Sequence, residues 1–210
     1  MKKMNLPNKL TMLRILLVPA VIACILIDFP FHFLAAGVLF GVASITDALD
    51  GRIARRDNLI TDFGKFADPL ADKILVISVL VCFVKLGLCG AVPLIIIIFR
   101  EFAVTSVRLV AAAKGKVIAA NMWGKVKTVS QIAAIGAIFL MQTILEIVSF
   151  AFTGNDLSTY SYTGWMPAEI LNLSGPFHII SQIMMWIVAV VTVISGVKYL
   201  KDNIEVISDM

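Results

Sequence analysis

Apolar runs recur along this chain at helical lengths, separated by short polar or glycine-rich breaks. They predict helices over Leu13 to Ile27, Phe33 to Arg55, Lys65 to Val84, Val92 to Ala113, Gly124 to Phe150 and Phe177 to Leu200. Each comes near the ~20 residues that a bilayer core requires, except the first, which is short. The break "GLCGAVP" and the Gly/Ser/Thr/Pro-rich segment from Thr153 to Pro176 are the clearest loops. Ahead of the first run, "NLPNKLTMLR" predicts a short helix starting near Met4 and lying partly in the membrane interface. The expected fold is therefore all-α: a polytopic membrane bundle of six transmembrane helices with a short N-terminal interfacial helix. Residues 1–210 are expected to form a single membrane domain.

Composition sharpens this picture. Hydrophobic residues make up 60% of the chain and charged residues 15%, with a mean hydropathy of +0.95. A soluble domain of 210 residues has no need of so much apolar surface. The start "MKKMNLPNKLTMLR" leads into a span without a small-residue cleavage site, so no cleaved leader is expected. Cys24, Cys82 and Cys89 show no metal-ligand spacing and read as small packing residues. His32 and His178 lie too far apart in sequence to suggest a zinc site.

Orientation follows from lysine and arginine. Lys2, Lys3, Lys9 and Arg14 precede or enter the first span, and Arg52, Arg55, Arg56 and Lys65 surround the connection between the second and third. Lys114, Lys116, Lys125 and Lys127 join the fourth and fifth, and Lys198 and Lys201 end the sixth. Six spans place all of these on one side; the opposite loops hold only Lys85. Both termini are expected in the cytoplasm. The net charge of +4 is that of a basic rim facing anionic lipid heads, and calls for no nucleic-acid partner.

Against this background "SITDALDGRIARRDNLITDFGKFADPLADK" stands out, carrying six of the fourteen acidic residues. Asp47 and Asp50 are three apart near the end of the second span, and Asp68 and Asp72 are four apart near the start of the third. Each pair shares a helical face, and a short connection makes the two helices antiparallel neighbours. An ionised group deep in a span costs about 2.5–3.5 kcal/mol on insertion scales, and facing carboxylates also repel. Divalent cations answer both problems, and oxygen-only ligands suit Mg²⁺ or Mn²⁺. A plain ion-pair network with Arg52, Arg55, Arg56 and Lys73 is the structural alternative. Asp57 and Asp62 read as loop and helix-start residues. Gly51 and Gly64 either pack helices or open the backbone to a bulky substrate, and Arg55 is placed to meet phosphate.

The full pattern is Asp47, Asp50-Gly51, Ala54-Arg55, Gly64, Asp68 and Asp72 at fixed spacing. It resembles the signature of the CDP-alcohol phosphotransferase family, and the six-span layout resembles that family too. The resemblance implies displacement of CMP from a CDP-linked substrate by an alcohol, assisted by two divalent cations, Mg²⁺ or Mn²⁺. It makes Asp47, Asp50, Asp68 and Asp72 metal ligands, with Asp72 also the catalytic base. It also implies that Gly51, Arg55 and Thr61 hold the nucleotide of CDP-diacylglycerol, together with Asn8, Thr11 and Arg14. A homodimer in a bacterial cell membrane, with a cytoplasmic active site, is the family expectation.

The stretch from Arg100 to Thr128 bears on the alcohol. It places Arg108, Lys114, Lys116, Lys125 and Lys127 at the cytoplasmic ends of the fourth and fifth spans. Arg100 and Glu101 lie deeper, as an ion pair or the lining of a polar cavity. Arg100-Glu101-Phe102, Thr105, Arg108, Gly115, Ala119-Ala120, Gly124-Lys125 and Lys127-Thr128 resemble the branch of the family whose acceptor is sn-glycerol 3-phosphate. That resemblance implies Arg108, Lys125, Lys127 and Arg100 as the cations for the acceptor phosphate. An inositol-phosphate acceptor is the nearest rival within the family. An intramembrane prenyltransferase would not require the Gly51, Ala54 and Arg55 continuation. A cation transporter would want a second set of acids deeper along a path.

Overall fold

The computed structural model describes residues 6–56, 62–113, 122–153 and 168–204, with side-chain surroundings for 11–46, 71, 73–112, 122–152 and 174–204. Its elements are α1 (Leu6–Leu26), α2 (His32–Arg56), α3 (Asp62–Lys85), α4 (Ala91–Ala113), α5 (Met122–Thr153) and α6 (Ala168–Asp202). Among the described residues there is no strand, so the all-α expectation holds. Each apolar run became one helix. Among the described residues two helices, over Met122–Phe152 and Ser174–Asp202, are long and apolar enough to cross a membrane.

Two boundaries differ from the sequence reading. The N-terminal segment is not a separate interfacial helix among the described residues: Leu6 to Leu26 is one helix that continues through Pro19. The loop expected up to Pro176 is partly helical, because α6 begins at Ala168 and carries Pro176 inside it. Proline removes one helical hydrogen bond, and apolar helices tolerate that loss where neighbouring groups meet the freed carbonyl.

The chain divides into two compact units, 1–82 with 136–177 and 83–135 with 178–210. In the first, α1 packs along α2. Phe33, Ala36, Phe40 and Ala43 form the buried stripe of α2, and Val18, Val21 and Ile25 that of α1. Spacings of three and four keep each stripe on one helical face. Phe40 meets Phe139 of α5 with ring centroids 5.8 Å apart. The turn into α2 is tied down by polar contacts. His32 Nδ1 donates to the Cys24 carbonyl at 3.1 Å, and the Phe33 amide donates to Glu146 Oε1 at 3.1 Å. Glu146, with no exposed surface, thus accepts one of the orphan amides that open every helix. His32 Nε2 lies 3.7 Å from the same oxygen.

In the second unit, α3 ends in a Schellman turn. Gly87 sits at φ 73°, its amide donates to the Val84 carbonyl at 3.1 Å, and the Leu88 amide reaches the Phe83 carbonyl at 2.9 Å. Only glycine takes this left-handed position without strain. Gln182 of α6 donates to the Gly87 carbonyl at 2.9 Å, fixing the turn from outside. Burial pushes the Cys89 thiol in this turn up to about 11, which marks it as a packing residue rather than a nucleophile.

Replacing Glu146 tests the buried tie. Glu146→Ala strands the Phe33 amide, a loss of about 1–3 kcal/mol. Its thermal unfolding midpoint in detergent should fall by several degrees, whereas Glu146→Gln, which keeps an acceptor oxygen, should fall by less than half as much.

Candidate functional site

α2 runs unbroken through Asp47, Asp50, Gly51 and Arg55, and α3 through Gly64, Asp68 and Asp72. The three- and four-residue spacings therefore act as helical spacings, which put each aspartate pair on one face. The side chains of these residues lie outside the described set, as does Thr61 altogether. Asp62 is the first residue of α3, the helix-start position expected of it, while Asp57 falls outside the described residues. Among the described residues no three His, Cys, Asp or Glu side chains could hold a metal ion. The aspartates are not in that set. As a donor set they offer four hard carboxylates on helical backbone, which fits Mg²⁺ or Mn²⁺ and suits no soft metal.

Asn8, Thr11 and Arg14 follow one another at three-residue intervals on α1. The Asn8 side chain lies outside the described set; Thr11 and Arg14 are buried, at 0% and 1% exposure. A guanidinium so far withdrawn from water is tolerable only against anionic or carbonyl oxygens. Arg14, expected as a nucleotide contact, thus lies buried in the first unit.

The cations of the second unit are described in full. Arg100 Nη1 donates to Glu101 Oε1 at 2.9 Å, and Lys127 Nζ donates to the same oxygen. Arg100 Nη2 also donates to Ser195 Oγ of α6 at 2.8 Å. One carboxylate thus holds two cations, which leaves the trio at +1. The lysine side chain is 4% exposed, so this charge sits at low dielectric. Two turns further along α4, Arg108 is exposed but anchored. Its Nε donates to the Tyr199 hydroxyl at 3.3 Å, and its Cζ stands 5.3 Å from the centre of the Tyr199 ring. Lys125 is exposed on the first turn of α5.

The structure thus joins Arg100 to Lys127 through Glu101, places Arg108 on Tyr199, and leaves Lys125 at the surface. The Arg100–Glu101 pair was legible because the residues are adjacent. Their union with Lys127, and the parts of Ser195 and Tyr199, were not. Ser195 and Tyr199 are one turn apart at the end of α6, a segment that reads as an ordinary span terminus. Their i, i+4 spacing was the only signal, and it is common in any helix.

Comparison with known proteins bears on the same residues. The family model for CDP-alcohol phosphatidyltransferases matches residues 4–194. A Bacillus subtilis protein named CDP-diacylglycerol–glycerol-3-phosphate 3-phosphatidyltransferase is 40% identical over 213 aligned positions, covering 96% of each chain. A Rickettsia bellii protein of the same name is 33% identical and covers 94% of each. A Mycobacterium tuberculosis protein named probable phosphatidylglycerophosphate synthase is 34% identical, over 93% of this chain and 79% of its own. A match running from the start of α1 into the last turns of α6 takes in both the aspartate helices and the α4–α5 cations, and the chain belongs to the CDP-alcohol phosphatidyltransferase family.

Proposed function

We propose that this chain transfers the phosphatidyl group of CDP-diacylglycerol to sn-glycerol 3-phosphate, giving phosphatidylglycerol phosphate and CMP. Relatives carrying the name of that activity align over nearly the whole length of the chain, and this observation carries the reading. The Arg100–Glu101–Lys127 cluster, with its net positive charge, and Arg108 suit an acceptor that itself bears a phosphate.

The membrane setting has its own support. Phe99, Leu109 and Phe152 are 75%, 72% and 77% exposed, while Thr11, Glu146, Ser181 and Thr192 have no exposed surface. A chain with apolar side chains outside and polar ones inside is matched to lipid rather than water. All six helices then span the bilayer as one domain over residues 1–210. Both termini, the aspartates and the basic ends of α4, α5 and α6 face the cytoplasm, and a homodimer is the working assembly.

The family generally uses divalent metal ions. Asp47, Asp50, Asp68 and Asp72 would hold two, Mg²⁺ or Mn²⁺. Once bound, such ions neutralise the diphosphate and stabilise the leaving CMP phosphate. The chain's own residues do the rest. Gly51 leaves room for the cytidine end, with Arg55, Asn8, Thr11, Arg14 and Thr61 around the nucleotide. Arg108, Lys125 and the Arg100–Lys127 pair draw in the acceptor phosphate and orient its glycerol. Asp72 takes the proton of the acceptor hydroxyl as its oxygen attacks the lipid-bearing phosphorus. The bond from that phosphorus to the bridging oxygen breaks, and the oxygen leaves on CMP.

The deciding experiment is an assay of purified protein with labelled CDP-diacylglycerol and a panel of alcohols. Lipid product should form with sn-glycerol 3-phosphate; product with inositol phosphate alone would overturn the acceptor assignment.

Asp47→Asn and Asp68→Asn should each abolish turnover in protein that still inserts and purifies, since they remove charge with little change in shape. Near-normal activity in either would remove the metal-ligand assignment. Asp72→Asn separates base from ligand: kcat should collapse while metal-dependent protection by CDP-diacylglycerol against thermal unfolding persists. Loss of that protection as complete as in Asp47→Asn would make coordination its main role.

Arg108→Ala should raise KM for sn-glycerol 3-phosphate about ten- to a hundredfold, the loss of a charge-assisted contact worth about 1.5–3 kcal/mol, with little change for CDP-diacylglycerol. Lys127→Ala should act in the same direction and also lower thermal stability, because Glu101 loses one of its two cations. Equal effects on both substrates would displace the acceptor pocket from this region.

A further inference from the structure

The end of α6 presents one face to both arginines of α4. Tyr199 is 2% exposed, although it lies within a turn of the end of the helix at Asp202. Its backbone is fixed from beyond that end, where Asn203 Nδ2 donates to the Tyr199 carbonyl at 2.8 Å. Its ring lies beneath the Arg108 guanidinium and its hydroxyl accepts from Arg108 Nε. One turn earlier, Ser195 accepts from Arg100, and Gly196 makes room for the stem of the same side chain. A Cβ at Gly196 would stand 3.0 Å from Arg100 Cγ, inside van der Waals contact.

These contacts do different things for the two arginines. Arg100 is tied to Glu101 and Ser195 and withdrawn from the surface, whereas Arg108 remains exposed. An exposed arginine on a helix samples many rotamers, and a phosphate that recruits it must first order it. Here the ring holds one face of the guanidinium and the hydroxyl holds Nε. The Nη1–Nη2 edge is left in a fixed direction, and its paired N–H groups match two oxygens of a phosphate.

We propose that Tyr199 is a positioning residue for the acceptor subsite, holding the Arg108 guanidinium so that its outer edge receives the phosphate of the acceptor alcohol. The inference rests on the assignment of Arg108 to that phosphate. A tyrosine that merely packs α6 would change stability, or both substrates alike. A tyrosine that acts through Arg108 changes the acceptor alone.

The test uses the full chain, purified in detergent, with each substrate varied in turn. Tyr199→Phe keeps the ring face and loses the hydroxyl, so KM for sn-glycerol 3-phosphate should rise about two- to tenfold. Tyr199→Leu loses the ring face as well, which should add about a further two- to fivefold. In both variants KM for CDP-diacylglycerol should stay within about twofold, and kcat should change far less than the acceptor KM. Combining either variant with Arg108→Ala should add nothing to the effect of Arg108→Ala alone, as expected for residues acting in series.

An unchanged acceptor KM in Tyr199→Leu, an equal rise for both substrates, or full additivity with Arg108→Ala would each overturn the inference. If Tyr199→Leu no longer binds nucleotide in a metal-dependent way, Tyr199→Phe, which lacks a single oxygen, decides alone. Should Arg108→Ala itself leave the acceptor KM unchanged, the assignment of Arg108 fails and Tyr199 falls with it. A normal response to Tyr199→Leu beside a strong response to Arg108→Ala removes the inference and leaves the proposed function standing.

Discussion

A carboxylate in an apolar helix is tolerated only if something nearby answers it, and the described side chains show two such answers. Glu146 takes the amide of Phe33 at the start of α2, so a helix N-terminus supplies the positive end. Glu101 takes two side-chain cations, Arg100 and Lys127, and ends as the minor partner in a net positive cluster. Asp47, Asp50, Asp68 and Asp72 are four on two helices, interleaved in the sequence with Arg52, Arg55, Arg56, Lys65 and Lys73. The proposed divalent cations would answer them, and they are also what a diphosphate requires. The constraint that makes these residues expensive in lipid is the one that makes them useful.

The two other acids show why structural and functional charges differ in kind. Glu146 sits where the backbone already offers a donor to Oε1, and it ties α5 to the start of α2. In the Glu101 cluster two cations donate to one carboxylate oxygen, and the cluster retains positive charge. A small mobile anion suits such a site better than another fixed acid, which would simply cancel it. The first is a tie within the fold and the second has capacity left over.

How much could be read from the sequence depended on the range of the interaction. Spans of apolar residues and the three- and four-residue spacing of Asp47, Asp50, Asp68 and Asp72 are local, and α2 and α3 formed as that spacing required. Where the reading departed, a local signal was overruled. Pro176 closed a segment that read as loop, yet α6 begins eight residues before it. The polar residues after Met4 looked like a separate element, yet α1 takes in residues 6–26 without a break. Contacts between distant segments had no signature at all. Lys127 reaches Glu101 across 26 residues, and Tyr199 reaches Arg108 across 91. A lysine near a span end reads as rim, and only the packed helices show that it is buried.

The same contacts bear on how a family with one donor chemistry tells acceptors apart. A neutral alcohol entering beside Arg100, Glu101 and Lys127 would leave the net charge of the trio unanswered and would strip water from it without recompense. A phosphorylated alcohol brings its own negative charge and receives N–H donors in fixed directions. Sites that hold buried polar groups reject ligands lacking the matching group far more strongly than apolar pockets reject a misfit in size, because the unmatched group must be desolvated for nothing. Discrimination of that kind needs cations that cannot swing back into water when the wrong alcohol arrives. Glu101 supplies the restraint for Arg100 and Lys127, and Tyr199 supplies it for Arg108. In the proposed reaction, affinity for the phosphate would belong to the cations and selectivity to the residues that keep them in place.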